Sequence, residues 1–270
     1  MSRIASCFTR LSNEGKKALV VYIVAGDPDK SVTVDLMHAL SDNGVDMIEL
    51  GVPFTDPEAD GPVIQLAARR ALACGTTLTD CLGIVEAFRE RNTETPVILM
   101  GYLNPIERMG YQVFADKAAR VGVDGTITVN VPPEEGELLD KSLIGAGIDP
   151  IYLLAPTTSD ARARYIFSRG RGFAYYVSLK GTTGASTLNV SEVRDRLSDL
   201  RKVATLPIAV GFGIKSGESA RAVASFADGV VVGAAVVSIM EENLDTPAKI
   251  PSKVGEMVAE LRHAMDMNEP

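Results

Sequence analysis

The chain has 270 residues, of which 46% are hydrophobic and 23% charged, and its formal net charge is -8. Such a composition is typical of a globular protein of one large or two small domains. The negative balance, without a dense Lys/Arg cluster, argues against a nucleic-acid-binding surface. The N-terminus lacks a sustained apolar segment, and no apolar run is long enough to span a bilayer. We therefore expect a soluble, cytoplasmic protein.

The cysteines and histidines indicate neither a disulfide framework nor a metal site. Cys7, Cys74 and Cys81 are odd in number and lack C-x-x-C spacing, so we expect reduced thiols. His38 and His263 fall within helical patterns, which predicts helix-surface positions rather than catalytic ones. Acid–base chemistry would therefore depend on carboxylates.

In chain order, the hydrophobic pattern predicts a helix over 2–14 and then an alternation of short strands and helices. The predicted strands are 18–25, 45–50, 97–100, 125–129, 150–155, 172–178, 207–213 and 228–235. Helical spacing occurs at 30–42, 78–91, 111–121, 133–144, 159–168, 191–203 and 216–226, with further helical patterns beyond 235.

Eight strands that are apolar on both faces are what a parallel sheet covered by helices requires. Their spacing, without a long linker, favours a closed (β/α)8 barrel of the TIM type. We expect one α/β domain over residues 1–270, with an extra N-terminal helix. An open doubly wound sheet would need a dinucleotide-type glycine loop after the first strand, and Gly26-Asp27-Pro28 is not one.

The stretch from Val45 to Pro62 carries the clearest chemical signal. Glu49 lies near the end of a strand, and the following Gly- and Pro-rich loop holds Asp56, Glu58 and Asp60. The C-terminal ends of the strands form the reactive face of such a barrel. We therefore expect Glu49 and Asp60 to face each other across its mouth and to divide acid and base roles. The alternative is a solvated acidic turn.

The ends of the last two strands predict a phosphate site. Gly211-Phe212-Gly213 and Gly233-Ala234 leave backbone N–H groups free to converge, and a helical pattern begins directly after Gly233. Tight packing of glycine turns is the alternative. No His or Cys trio and no Ser–His or Cys–His pair is available, so a sugar-phosphate substrate would be processed by proton transfer alone.

The segment I-E-L-G-V-P-F-T-D-P-E-A-D-G-P closely resembles the signature of the tryptophan synthase alpha subunit family. Supporting matches are G-D-P at 26–28, G-Y-x-N-P at 101–105 and G-F-G at 211–213. The resemblance implies cleavage of indole-3-glycerol phosphate to indole and glyceraldehyde 3-phosphate. It implies no cofactor in this chain and a heterotetramer with a beta subunit that carries pyridoxal phosphate. Glu49 would move a proton between the substrate hydroxyl and indole C3, and Asp60 would hold the indole N–H.

The same resemblance implies roles for individual positions. Expected substrate-binding residues are Tyr22, Tyr102, Tyr175, Thr183, Gly184, Phe212, Gly213, Gly233 and Ala234. Expected contacts to the beta subunit are Pro53, Asp56, Pro57, Asn104, Asn130 and Pro132. We also expect the Gly/Thr-rich segment 180–189 to form a lid, with the Thr183 hydroxyl bonded to Asp60. The chain departs from the family's usual residues at Ala234, Asn130 and 179–180, where Ser, Asp and smaller residues or Arg are more familiar.

Two alternative functions remain open from the sequence. The chain could be a partner module with negligible turnover that activates a beta subunit. It could also be another sugar-phosphate barrel enzyme, such as an isomerase, although such enzymes lack the Pro-rich acidic loop at 56–62.

Overall fold

A ring of parallel strands forms the centre of the computed structural model, which describes residues 2–177, 190–211 and 213–267. The strands β1 to β9 are Ala18–Val24, Met47–Gly51, Val97–Gly101, Gly125–Thr128, Asp149–Pro150, Tyr152–Leu154, Ala174–Val177, Ile208–Gly211 and Gly229–Val232. Only Ile151 separates β5 from β6, and its N–H donates to the Thr126 carbonyl at 2.9 Å. Residues 149–154 therefore act as one strand, which pairs with β4 at its start and with β7 at its end. The predicted (β/α)8 barrel is confirmed.

Helices cover the outside of the ring and close one end of it. In the described part of the chain, α1 to α12 are Arg3–Asn13, Lys30–Asp42, Pro62–Ala73, Leu78–Arg89, Leu103–Met109, Tyr111–Val121, Glu137–Gly145, Asp160–Arg169, Val190–Arg201, Gly217–Ala224, Ala234–Glu242 and Ile250–Asp266. A 3-10 turn, Pro247–Lys249, precedes α12. Within the described ranges, no single helix has the length and apolar character to cross a membrane; one bent pair, α3 with α4, meets that test by length and composition only.

Three local predictions were wrong. The pattern left 62–73 without a helix, yet α3 begins there with Pro62 at its first position, where a missing N–H costs nothing. Residues 103–109, for which the pattern predicted no helix, form α5. The helix expected from 133 begins only at Glu137, because residues 133–136 form a turn in which the Glu135 N–H donates to the Pro132 carbonyl at 3.0 Å.

Strand alternation produces two cores. Outward-facing side chains such as Leu19, Val21 and Ile23 pack against the surrounding helices. Inward-facing side chains fill the barrel, and α1 covers the N-terminal end of this interior with Ile4, Cys7, Phe8 and Leu11. The predicted N-terminal helix is therefore part of the core. The lower interior is filled by these side chains, and a cavity lies toward the C-terminal ends of the strands.

The predicted surface position of His38 was wrong, whereas that of His263 is confirmed. His38 lies on α2 and is buried, with its ring centroid 4.9 Å from that of Phe88 on α4. The pattern predicted the helix, but only packing between α2 and α4 decides which of its faces is covered. His263 is exposed on α12. All three cysteines are free thiols, as expected.

Candidate active site

A cavity of about 260 Å³ opens at the C-terminal ends of β1, β3, β7 and β9. It lies between the start of α3 and the start of α11. Its described lining is mostly apolar and includes Val63, Ile64, Met100, Ile214 and Val231. The polar side chains in that lining are Tyr22, Asp60, Tyr175 and Lys215. Such a cavity suits a flat apolar ring that carries a few polar groups.

Glu49 is completely buried at the inner face of β2, directly beside this cavity. Its register partner on β1 is Tyr22, which lines the cavity. In the described structure neither carboxyl oxygen of Glu49 has a hydrogen-bond partner. Burial raises the pKa of Glu49 to about 8, because an ionised carboxylate without solvent or a partner is unfavourable. The group is therefore mostly protonated near neutral pH.

Two tyrosines of the cavity lining lie near Glu49. A Cβ atom placed on Gly51 would lie 2.2 Å from the Tyr22 hydroxyl, and one on Gly211 would lie 2.2 Å from the Tyr175 hydroxyl. Each phenol thus occupies space that only a glycine leaves open on the neighbouring strand. Burial and nearby carboxylates, including Glu49, raise the pKa of both tyrosines well above the usual value. Both phenols therefore remain neutral hydroxyl donors.

Asp60 enters the cavity from the loop that precedes α3. The Tyr102 hydroxyl donates to Asp60 Oδ2 at 3.0 Å and accepts from the Ala59 N–H at 2.9 Å. The Phe54 ring stacks on Tyr102, with 5.2 Å between ring centroids. Burial raises the pKa of Asp60, while the Tyr102 hydrogen bond opposes that shift by favouring the carboxylate. The acidic loop is thus held by specific contacts, unlike a solvated turn.

The ends of β8 and β9 contribute the glycine and alanine backbone of the cavity lining. Gly213 has φ of +80°, a left-handed conformation that favours glycine. Gly233 precedes α11 without a side-chain cap, and Ala234 and Ala235 begin the helix and line the cavity. The first N–H groups of a helix have no partner within it and carry partial positive charge. This arrangement suits an anionic group such as a phosphate.

The structure brings most of the predicted substrate-binding residues to one place. Those that line the cavity are Tyr22, Tyr175, Gly213, Gly233 and Ala234, together with Asp60. Tyr102 contacts Asp60, and Glu49 lies below the cavity without lining it. Thr183, Gly184 and Phe212 lie outside the described residues, as does the expected lid at 180–189.

The expected partner-contact residues surround the same end of the barrel but differ in exposure. Asp56, Asn104, Asn130 and Pro132 are exposed and Pro57 is half-buried. Asn130 also accepts a hydrogen bond from the Leu103 N–H at 2.9 Å, which ties the loop after β4 to the start of α5. Pro53 is buried, so a direct partner contact by this residue would require its loop to move.

Sequence reasoning missed the contribution of α3 and of Lys215. Val63 and Ile64 of α3 line the cavity, while Ala67 and Ala71 pack against β1 and α11. The signal for this helix was present, because Pro62 is followed by apolar residues at helical spacing. Lys215 follows the glycine turn after β8, where nothing local showed that it would face the cavity. Across the described ranges, no group of three or more His, Cys, Asp or Glu could hold a metal ion.

Comparison with known families gives a single result. The family model described as "Tryptophan synthase alpha chain" matches residues 8–266. A protein of that name from Nitrosococcus oceani is 54% identical, covering 100% of this chain and 99% of the relative. Another from Thioalkalivibrio sulfidiphilus is 52% identical, covering 98% of this chain and 100% of the relative.

Solved structures agree with the sequence comparison. The crystal structure of tryptophan synthase subunit alpha from Legionella pneumophila superposes with a TM-score of 0.92 at 44% identity, covering 98% of this chain and 99% of that one. A structure of Mycobacterium tuberculosis tryptophan synthase gives a TM-score of 0.90 at 31% identity and covers 99% of each chain.

Proposed function

Since the chain belongs to the tryptophan synthase alpha chain family and is therefore a lyase, we propose that its cavity is where indole-3-glycerol phosphate is cleaved to indole and glyceraldehyde 3-phosphate. The observation that carries the proposal is Glu49, a carboxyl group that is fully buried beside an apolar cavity and has no hydrogen-bond partner among the described residues. Such a group is costly to bury and is explained by acid–base catalysis.

Glu49 begins the reaction as an acid and ends it in the same protonated state. With a pKa of about 8 it is neutral near pH 7 and can donate its proton to indole C3. The ring becomes a cationic indolenine. The resulting Glu49 carboxylate then takes the proton of the adjacent side-chain hydroxyl as the carbon–carbon bond breaks. That hydroxyl carbon leaves as the aldehyde, and the bonding electrons return to the indole ring.

Asp60 stabilises the charge that this step creates. In our proposal its carboxylate accepts a hydrogen bond from the indole N–H, so that the positive charge develops next to a fixed negative one. The Tyr102 hydroxyl keeps Asp60 oriented and favours its ionised form. In this proposal Glu49 is neutral and Asp60 is ionised, which is the condition for dividing acid and base work.

The substrate's ends fit opposite parts of the lining. The indole ring would lie against the apolar side chains of Ile64, Met100 and Tyr175. The phosphate would bind the N–H groups of Gly213, Gly233 and Ala234, where the start of α11 provides unpaired donors. With the indole ring and the phosphate bound in this way, the carbon–carbon bond to be cleaved would lie next to Glu49.

We also propose that this chain, one domain over residues 1–270, works in the cytoplasm without its own cofactor and pairs with a beta subunit that carries pyridoxal phosphate. Three free thiols are in keeping with a reducing compartment. The exposed residues Asp56, Asn104, Asn130 and Pro132 at the mouth of the barrel are the expected contacts, in an alpha2-beta2 assembly.

The test measures indole release from indole-3-glycerol phosphate, with and without a beta subunit. Glu49→Gln keeps the shape of the side chain but cannot transfer a proton. Its rate of indole release should therefore fall at least about 10²-fold, the lower end of the roughly 10²–10⁴-fold contribution of acid–base groups. Substrate binding should change little. Glu58→Gln, which removes an exposed carboxylate of the same loop, is the matched control and should retain full activity.

Two outcomes would contradict parts of this proposal. Retention of more than about a tenth of the wild-type rate by Glu49→Gln would remove Glu49 from catalysis, because general acid–base groups contribute far more than that. A wild-type chain that releases no indole under either condition would leave only the partner-module alternative, in which the chain activates a beta subunit without turnover of its own.

A further inference from the structure

Lys215 contributes a positive charge to an otherwise negative cavity. It is the one cationic side chain among the described residues of the lining, and it follows two residues after Gly213. Asp60 lines the same cavity, and the whole chain carries a net charge of -8. A phosphate dianion entering this space would meet repulsion unless a nearby cation offsets it.

The backbone of Lys215 is held in one position at the edge of the cavity. Its N–H donates to Ser219 Oγ at 3.2 Å. The next residue, Ser216, caps α10 in a reciprocal capping box with Ser219. The preceding residue, Ile214, is buried in the outer core. The root of the lysine side chain is therefore fixed on both sides, and only its flexible stem remains free.

The ammonium group of Lys215 is not engaged elsewhere in the described structure. An exposed carboxylate can hold a lysine in an ion pair, as Asp80 does with Lys30 at 2.6 Å. No carboxylate of the described residues lies within ion-pair distance of Lys215. A lysine that lines a cavity without a carboxylate partner can move its charge to an incoming anion without breaking an existing ion pair.

We propose that Lys215 is the counter-ion of the substrate's phosphate and selects phosphorylated ligands for this cavity. The inference rests on the proposed function, which assigns the phosphate to Gly213, Gly233 and Ala234. Those backbone donors fix the position of the phosphate. Lys215, on the turn that continues from Gly213, supplies the full charge that backbone dipoles lack.

The test is the affinity for glycerol 3-phosphate, measured by calorimetric titration of the isolated chain. Lys215→Met should weaken binding about tenfold, as expected for the loss of one charge-assisted contact. Lys215→Arg, which keeps the charge, should stay within about twofold of wild type. Lys141→Met removes an exposed lysine of α7 on another side of the barrel and should leave the affinity unchanged.

Two further readouts separate charge from structure. Raising the salt concentration should weaken glycerol 3-phosphate binding to wild type more than to Lys215→Met, because salt screens an exposed ion pair. Binding of indole, which has no phosphate, should be the same in all variants. In the cleavage assay, Lys215→Met should raise KM with little change in kcat, since ground state and transition state carry the same phosphate.

The inference is overturned if Lys215→Met binds glycerol 3-phosphate within about twofold of wild type, or if it weakens indole binding equally. The first result would mean that backbone donors suffice, and the second that the substitution disturbs the cavity itself. Failure of the proposed reaction looks different. A wild-type chain that binds glycerol 3-phosphate in a Lys215-dependent way but releases no indole would refute the lyase activity and leave this site intact.

Discussion

Replacing Glu49 by glutamine should change the free energy of unfolding by an amount that depends on pH and favours the variant increasingly as pH rises. The pKa of Glu49 rises from 4.5 to about 8 on folding because the folded state buries the group, with no hydrogen-bond partner in the part of the chain that the structure describes. Between these two values the folded chain keeps a proton that the unfolded chain has released. The free energy of unfolding of the wild type therefore falls as pH rises through this range, and levels off above pH about 8.

The size of the effect follows from the same two pKa values. Each unit of pKa difference corresponds to about 1.4 kcal/mol, so the contribution lost by pH 7 is on the order of 3 kcal/mol. Glu49→Gln removes this contribution, because an amide does not titrate. Burying the amide without a partner has its own cost of about 1–3 kcal/mol, but that cost is independent of pH. The pH dependence of the difference is thus the diagnostic quantity.

The assay is urea unfolding of the isolated chain between pH about 5 and pH about 9. The free energy of unfolding of Glu49→Gln, minus that of wild type, should rise through the range and then become flat. Other titrating groups cancel in this difference, since they are the same in both proteins. Glu58→Gln changes an exposed residue and should give a difference that does not depend on pH. A flat difference for Glu49→Gln would refute the neutral, buried carboxyl group.

Three other substitutions test the contacts around the cavity. Tyr102→Phe removes the hydrogen bond that lowers the pKa of Asp60, so the acidic limb of the kcat/KM profile should move to higher pH, with a loss of unfolding free energy of only about 1–2 kcal/mol. An unshifted acidic limb would show that this bond does not tune the carboxylate. Asp27 is fully buried and accepts two hydrogen bonds from Arg70, at 2.7 and 2.9 Å. Arg70→Met removes this partner, and urea unfolding should show a loss of about 3–5 kcal/mol in the free energy of unfolding. Gly51→Ala puts a methyl group 2.2 Å from a tyrosine hydroxyl of the cavity and should lower indole release at least about tenfold; unchanged release would mean that this phenol is free to move.

Local sequence patterns were sufficient for the barrel and for its two carboxyl groups. Strands that are apolar on both faces, such as Ala18–Val24, can be buried only between helices and a filled interior. Because the strands are parallel and joined by helices, the C-terminal ends of all of them lie on one side of the barrel. Glu49 and Asp60 could be assigned to that side before any coordinates, because the position of a residue at a strand tip or in the following loop is a local property.

The local pattern failed where short elements depend on their neighbours. The helix Pro62–Ala73 has a weak apolar stripe of alanines, and its own sequence does not show that Ala67 and Ala71 pack on β1 and α11. His38 was predicted to lie on the polar face of its helix, but Phe88 of another helix packs against its ring. Burial of a helix face is decided by what packs against it, which the helix's own sequence does not contain.

The chemistry of the site likewise depends on both the sequence and the tertiary structure. Residue types and spacing alone determined that carboxylates, tyrosines and glycine turns would meet at the mouth of a barrel. Only the tertiary structure decided that Glu49 is buried without a hydrogen-bond partner among the described residues, that Tyr102 contacts Asp60, and that Lys215 lines the cavity. A pKa depends on solvent exclusion and on every charge nearby, and both are sums over segments that are distant in sequence. A sequence can therefore name the groups of an active site, while the packed fold sets their protonation and partners.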